Sequence, residues 1–361
     1  MRNEISKESE GTSESDTLDI AVSFDGTWAK RGHTSLFGVV YVISVDTGEV
    51  LDYEVLSNFC KTCQYYDSKK DEDFESYVKG MAAHMEAGNC SINYEGSSNA
   101  MEMEGASIMW NRSLEKHNLR YSFMVSDGDS KAFNKVSENN NYGCNCKVQK
   151  IDCIGHIQKR MGKRLLNLKS STKGKLADGK TIGGRGRLTE AVIKRIQIYY
   201  GYAIRQNTIK SINPTEDEKK LCVYQMKKNV MALLSHTVLR EDFAVQHRYC
   251  PAGKESWCAW QRDKEIGTST YTSKDCLPEV FMDLLKPIFI DLSSETLLKR
   301  CVLGVTQNQN ESINSLVWLR CPKHKFHGAN IVKFAAAAAI LQFNGWATMS
   351  AGLIKEMGTP L

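Results

Sequence analysis

The chain has 361 residues, 42% apolar and 25% charged, a soluble-globular balance long enough for two domains or one large domain carrying an insertion. No run of apolar residues is long enough for a membrane-spanning helix, which excludes that class. The stretch before Leu18, rich in Ser and Glu, lacks the apolar segment of a secretory signal and reads as a disordered lead-in. Twelve cysteines without such a signal point to packed, reactive or metal-bound thiols rather than disulfides. The net charge is only +5, but residues 147–210 hold sixteen Lys/Arg against three Asp/Glu, a concentration that suits a polyanionic partner.

In chain order, Leu18, Ile20, Val22 and Phe24 alternate with Asp19, Ala21, Ser23 and Asp25. That period of two predicts a half-buried strand stopped by an Asp25-Gly26 turn, with Asp25 on the face opposite the large apolar residues. β-Branched and aromatic runs at 34–45 and 50–56, joined by Asp46-Thr-Gly-Glu49, complete an antiparallel meander. Residues 60–96 read as irregular and polar. A helix is expected over 101–117, with Asn99 and Glu102 at capping-box spacing. A strand over 120–125 follows and leads into Asp127-Gly128-Asp129, so two strands end in acid. Residues 147–250 read as helical and basic, interrupted by the glycine-rich Asp178–Arg187, and helices are expected over 311–320 and 331–343. The domain reading is a lead-in (1–17), a first core segment (18–146), a basic helical insertion (147–294) and a C-terminal core segment (295–361).

Three antiparallel strands, a helix, a fourth strand and late helices match the order of a ribonuclease H-like α/β fold, a mixed sheet flanked by helices. There the third acid falls on a late helix. Glu311 in Thr306-Gln-Asn-Gln-Asn-Glu-Ser312 is the candidate, with Asn314, Ser315 and Trp318 on its side of the helix and Ile313, Leu316 and Val317 forming the apolar seam. Carboxylates are hard oxygen ligands suited to Mg²⁺ or Mn²⁺, and two such ions about 3.5–4 Å apart activate the attacking oxygen and stabilise the leaving oxygen at a phosphodiester.

Ser23-Phe-Asp-Gly-Thr-Trp28, Ser126-Asp-Gly-Asp-Ser-Lys131, Asp152-Cys-Ile-Gly-His-Ile-Gln-Lys-Arg-Met161, Cys250-Pro-Ala-Gly-Lys-Glu-Ser-Trp-Cys258 and the Glu311 motif together resemble the Mutator-like transposases, over about residues 18–350. The resemblance implies a DDE transposase with Asp25, Asp127 and Glu311 as the metal-binding acids, Asp129 being the rival for second place. It also implies two Mg²⁺ or Mn²⁺ ions, double-stranded DNA (transposon ends and target) as partner, a homodimer and a nuclear location. Such transposases usually carry an N-terminal DNA-binding region, which the short polar lead-in does not supply. The alternative reading is a catalytically inactive DNA- or chromatin-binding protein of transposase descent.

Two sets of Cys and His have zinc spacing. Cys153/His156 and His247/Cys250 bracket the insertion and would clamp its ends through one tetrahedral ion, with His236 and Cys258 as substitute ligands. Cys60, Cys63, His84 and Cys90 form the second set, in a stretch poor in apolar residues. The alternative is a buried Cys and a hydrogen-bonded His in each pair of the first set, and reduced, packed thiols in the second. For DNA phosphates the candidates are Lys159, Arg160, Lys163, Arg164, Lys180, Arg185 and Arg187. Tyr199, Tyr200 and Tyr202 either stack on bases or pack in the interior.

Overall fold

The structure, a computed structural model, describes residues 17–29, 35–126, 131–144, 146–209 and 214–356, with side chains through residue 345. The strands are β1 (Leu18–Trp28), β2 (Phe37–Ser44), β3 (Val50–Ser57), β4 (Leu119–Ser126) and β5 (Gln149–Asp152). The helices before β5 are α1 (Lys61–Lys69), α2 (Phe74–Glu86), α3 (Met101–His117) and α4 (Lys131–Asn139). After it come α5 (Ile154–Ser171), α6 (Glu190–Arg205), α7 (Glu216–Thr237), α8 (Phe243–Gln246) and α9 (Ala259–Ile266). The last are α10 (Phe281–Leu292), α11 (Glu295–Lys299), α12 (Asn308–Arg320) and α13 (Ala329–Glu356). Two compact units result: residues up to 150 together with those from 307 onward, and residues 151–306.

The first unit is built on a five-stranded mixed sheet in the order β3-β2-β1-β4-β5. β2 pairs antiparallel with both β1 and β3, whereas β1 and β4 are parallel. β2 is buried along its whole length because both faces of the sheet are covered. On one face Ile20, Val22, Phe24 and Val40 pack with Trp110 of α3, whose indole donates to the Tyr121 carbonyl at 3.1 Å. On the other, Val39, Tyr41 and Ile43 meet Ile313 and Val317 of α12 and Val332 and Ala336 of α13.

β1 does not stop at Asp25-Gly26. It runs to Trp28, with Asp25 opposite Tyr41 and Gly26 opposite Val40. Gly26 serves close approach rather than a turn: a Cβ there would stand 2.6 Å from the Trp28 ring and 3.2 Å from Val40 Cγ1. Residues 60–96, expected to be irregular, contain α1 and α2. The capping box expected at α3 does not form; Ala100 occupies the N-cap with no side-chain bond. At the other end of α3, Asn118 takes φ 52°, the left-handed conformation an Asn tolerates, and turns the chain into β4.

Asp52 of β3 is a buried carboxylate on the sheet. Arg112 of α3 grips it through Nε and Nη2 at 2.7 and 3.0 Å, and Lys116 donates at 2.7 Å. Burial alone would raise its pKa, but the hydrogen bonds and charges of Arg112 and Lys116 outweigh burial and hold it below the ordinary carboxylate value. A depressed folded-state pKa contributes stability that is present above the unfolded value of about 3.9 and is lost as pH falls through the folded value. Arg112→Met is expected to destabilise the first unit by about 3 kcal/mol at pH 7, since Lys116 alone must then compensate a buried charge. The difference from wild type should shrink as the pH is lowered below 4; urea unfolding at pH 7 and pH 3 checks both.

In the second unit α5, α6, α7, α10 and α11 surround one core that includes Met161, Leu165, Tyr200, Met226, Phe281, Phe289 and Leu298. Leu297, Leu298, Cys301 and Val302 belong to that core, so the boundary expected between 294 and 295 falls between 306 and 307. The unit's two ends are tied by Asp152, whose amide donates to the Arg300 carbonyl at 2.9 Å and whose carboxylate accepts from Arg300 Nε at 2.8 Å. The Ile154 amide adds a bond to the Val305 carbonyl at 3.1 Å. Among the described residues no helix is long and apolar enough to cross a membrane.

Candidate functional site

Alternate residues of β1 face α12 and meet it as three rungs. Ser23 Oγ donates to Asn310 Oδ1 at 2.5 Å, Asn314 Nδ2 donates to Asp25 Oδ2 at 3.0 Å, and Trp318 Nε1 donates to Thr27 Oγ1 at 2.7 Å. The spacing matches because two strand residues advance about 6.6 Å and four helix residues about 6.0 Å. Below the first rung, Gln307 Nε2 donates to the Phe24 carbonyl at 2.9 Å. Gln307 Oε1, Asn310 Nδ2 and Asn314 Oδ1 are buried without a hydrogen-bond partner among the described residues, so Asp25 stands beside amides with capacity to spare.

Glu311 lies in the first turn of α12 and is exposed. The shared face expected for Glu311, Asn314, Ser315 and Trp318 is split: Asn314 and Trp318 turn to β1, while Glu311 and Ser315 face outward. Asp127 and Asp129 lie outside the described residues. β4 is described to Ser126, and Val125 pairs with Ser23 in the parallel register. In the sequence Asp25 comes two residues after Ser23, and Asp127 two after Val125.

Past the third rung, Trp318 forms part of a cavity of about 320 Å³ lined also by Lys323, His324, Lys325, Phe326 and His327. The Lys323 ammonium lies 4.9 Å from the centre of the Trp318 ring. The sequence reading missed this loop; the run Lys323-His-Lys-Phe-His327, basic residues interleaved with an aromatic, was the available signal.

The second unit brings His236, His247, Cys250 and Cys258 together, their ligand atoms all within 4.8 Å of one another. The two Nδ1 atoms are 3.2 Å apart, Cys258 Sγ is 3.4 Å from His247 Nδ1, and Cys250 Sγ is 3.7 and 3.8 Å from the two imidazoles. A zinc tetrahedron with bonds of about 2.3 Å to sulfur and about 2.0 Å to nitrogen has edges of roughly 3.3–3.8 Å, so this set can hold a zinc ion. The hydrogen bond from Cys250, then those of the imidazoles, hold Cys258 well below the thiol range, while that same bond and burial push Cys250 up. The surroundings are built: His247 stacks on Trp260 at 5.2 Å and meets Tyr271 edge-on at 4.8 Å. Asp263 fixes Tyr271 by accepting from its amide at 2.6 Å and from Thr268 and Thr270.

His236 and Cys258 therefore take the places expected for Cys153 and His156, which join no such cluster among the described residues. The expected zinc clamp across the ends of the insertion is replaced by the Asp152–Arg300 tie, and Cys153 serves as the N-cap residue of α5.

In the first unit Cys60, Cys63, His84 and Cys90 form the other cluster, again within 4.8 Å. Cys60 Sγ lies 3.3 Å from His84 Nε2, and Cys63 Sγ 3.6 Å from Cys90 Sγ. Burial would raise the Cys60 pKa, but the amides of Ser91, Cys63 and Thr62 outweigh it and bring it down to about 6. Burial and the neighbouring thiols push Cys63 up to about 12. Asn93 anchors the segment to the sheet, bonding the Ser57 amide at 2.7 Å and the Val55 carbonyl at 2.8 Å.

Of the expected phosphate contacts, Lys159, Lys163, Lys180 and Arg185 are exposed and Arg160 is half-buried. Arg164 is exposed but paired with Asp291. Arg187 is not a surface contact: it is 5% exposed, paired with Asp178, and its guanidinium lies 4.9 Å from the Phe281 ring centre. The tyrosines divide, with Tyr200 buried and donating to the Leu292 carbonyl at 2.7 Å, and Tyr199 and Tyr202 exposed.

A family model described as Mutator-like transposase matches residues 1–258. The match spans Asp25, Asp127 and both Cys/His clusters, and ends before Glu311. No curated protein and no solved structure matches the chain.

Proposed function

Since the chain belongs to the Mutator-like transposase family, we propose that it is a DDE-type DNA transposase whose acids are Asp25, Asp127 and Glu311. The observation that carries this reading is Asp25 itself, a carboxylate on the central strand bonded at 3.0 Å by Asn314 from the helix that bears Glu311. The strand order β3-β2-β1-β4-β5, with β4 parallel to β1, supports a ribonuclease H-like fold. The register supports Asp127 over Asp129, because Asp127 directly follows the last residue of β4.

Three carboxylates suit Mg²⁺ or Mn²⁺, which supply Lewis-acid activation of the attacking and leaving oxygens at a phosphodiester. The chain's own part is positional. Asn314 holds one oxygen of Asp25 and so fixes how the carboxylate is turned. The rungs on either side keep α12 from rotating, and so keep Glu311 on a fixed helix face. The expected result is cleavage of transposon-end DNA that requires Mg²⁺ or Mn²⁺. Binding without cleavage at any divalent-ion concentration would instead favour the non-catalytic, transposase-derived DNA-binding reading. Both Cys/His clusters are proposed to hold structural zinc, and homodimerisation on paired DNA ends in the nucleus follows the family.

DNA backbone contact is assigned to the exposed cations of the second unit. Each neutralised phosphate contributes about −0.9 to the slope of log K against log salt. Replacing Lys159, Lys163 and Arg185 with Ala should therefore flatten that slope by about 2 to 3 and weaken binding evenly across sequences. An unchanged slope would remove these residues from the interface.

A further inference from the structure

A second cavity, of about 210 Å³, opens beside the His236 cluster, between α6 and α7. Tyr199, Tyr202 and Trp257 supply its aromatic walls, and Gln206 and Asn229 supply amides. The volume is smaller than the roughly 300–1,000 Å³ of a typical small-molecule site. It suits one flat ring system better than a whole nucleotide.

Packing does not account for these rings. Tyr200, between the two tyrosines, is fully buried, whereas Tyr199 and Tyr202 are about half exposed (51% and 50%) and Trp257 is 43% exposed. Nor do the tyrosines stack on each other, since their rings lie 6.4 Å apart and are tilted by 44°. Trp257 is held in place: it immediately precedes the ligand Cys258, and its ring meets His236 edge-on at 5.0 Å. Buried Leu233 and Ala203 and the half-buried His236 complete the lining.

The charge around this cavity selects the occupant. Among the described residues no acidic side chain lines it. The helices that form and flank it carry exposed cations, Lys227 and Lys228 on α7, Lys194 on α6 and Lys159 and Lys163 on α5. Aromatic faces beside cations, with amide groups that can bond a polar edge, are the chemistry that binds a base while the surrounding positive charge follows its phosphates.

We propose that this pocket receives a single unpaired DNA base, stacked against Tyr199, Tyr202 and Trp257 and bonded at its edge by Gln206 and Asn229. The proposal rests on the DNA-binding reading above, but not on catalysis, and it gives the insertion a role in holding an opened DNA end.

The test is binding without added magnesium of a blunt duplex and of the same duplex with a short single-stranded overhang, using the full chain. Wild type should prefer the overhang. Tyr199→Ala and Tyr202→Ala together should weaken overhang binding by about tenfold or more, the size of one lost stacked base. Blunt-duplex binding should stay within about twofold, and Tyr202→Phe should restore the preference. Equal affinity of wild type for the two DNAs, or an equal loss on both in the double variant, overturns the pocket and leaves DNA binding standing. Failure of wild type to bind either DNA overturns both.

Discussion

Asp25→Asn is expected to lower metal-dependent DNA cleavage by at least about a thousandfold. On the proposed reading the substitution removes a charged ligand of an ion that would supply several kcal/mol of transition-state stabilisation, each ~1.4 kcal/mol being a factor of ten in rate. The substitution is suited to the question because the fold should tolerate it. Asn314 Nδ2 donates to Asp25 Oδ2, and the side-chain carbonyl of an Asn can accept the same bond. The rungs at Ser23 and Thr27 are untouched. Melting temperature and DNA affinity should therefore match wild type, while Mn²⁺ titration by calorimetry should show a weakened site. Cleavage at wild-type rate by a folded Asp25→Asn protein would sink the assignment.

The second large effect concerns the cluster at Cys60, Cys63, His84 and Cys90. α2 buries none of its side chains, and in α1 only Cys63 is buried. Two helices that bury so little apolar surface have no core of their own to offset ordering entropy. An ion held by the four Cys and His residues would then be their core. Structural zinc sites in small domains contribute about 10–16 kcal/mol of apparent binding energy at pH 7. Cys63→Ala is expected to unfold residues 61–90 locally, their amides exchanging at nearly unfolded rates, while β1–β4 stay protected. Elemental analysis should find two zinc ions per chain in wild type and one in Cys63→Ala. Cys258→Ala should also retain one, but with far less local unfolding. The aromatic shell of Trp260 and Tyr271 and the separate core of α5–α7 remain to support that unit. A wild-type protein that purifies without zinc would refute both sites.

The comparison of the two clusters shows what the residues disclose in advance. The strands were legible because period-two burial is local: Ile20, Val22 and Phe24 pack on one face, as their alternation requires. Asp25-Gly26 misled because a glycine needed for space beneath Trp28 has the same letter as one needed for a turn. Cys60-x-x-Cys63 was readable because its partners follow within one short segment. In the second unit, spacing pointed to Cys153 and His156, although His236 and Cys258 complete the set. Nothing in a linear reading shows that Asp152 and Arg300 already close the unit's ends, which frees Cys153 from that task. α1 and α2 were invisible for a related reason: helices that meet around a cluster of three Cys and one His, with little else buried, show no apolar seam. The interior place of Arg187 depends on Asp178 and Phe281, and a count of cations cannot reveal it.

The rungs between β1 and α12 work as a vernier. Each strand step outruns its helix step by about 0.6 Å, so the two scales coincide over only a short length. Across three rungs the drift reaches roughly 1.2 Å, which the long Trp318 side chain can span to reach Thr27. A fourth rung would be misplaced by about 1.8 Å. α12 ends at Arg320, just past the third. A vernier reads only one setting. Adding or deleting a residue between 307 and 318 would turn the helix beyond that point by about 100° and put the marks on its two sides out of line with each other. Apart from Glu311, segment length here should therefore be guarded more strictly than the identity of the exposed residues along it.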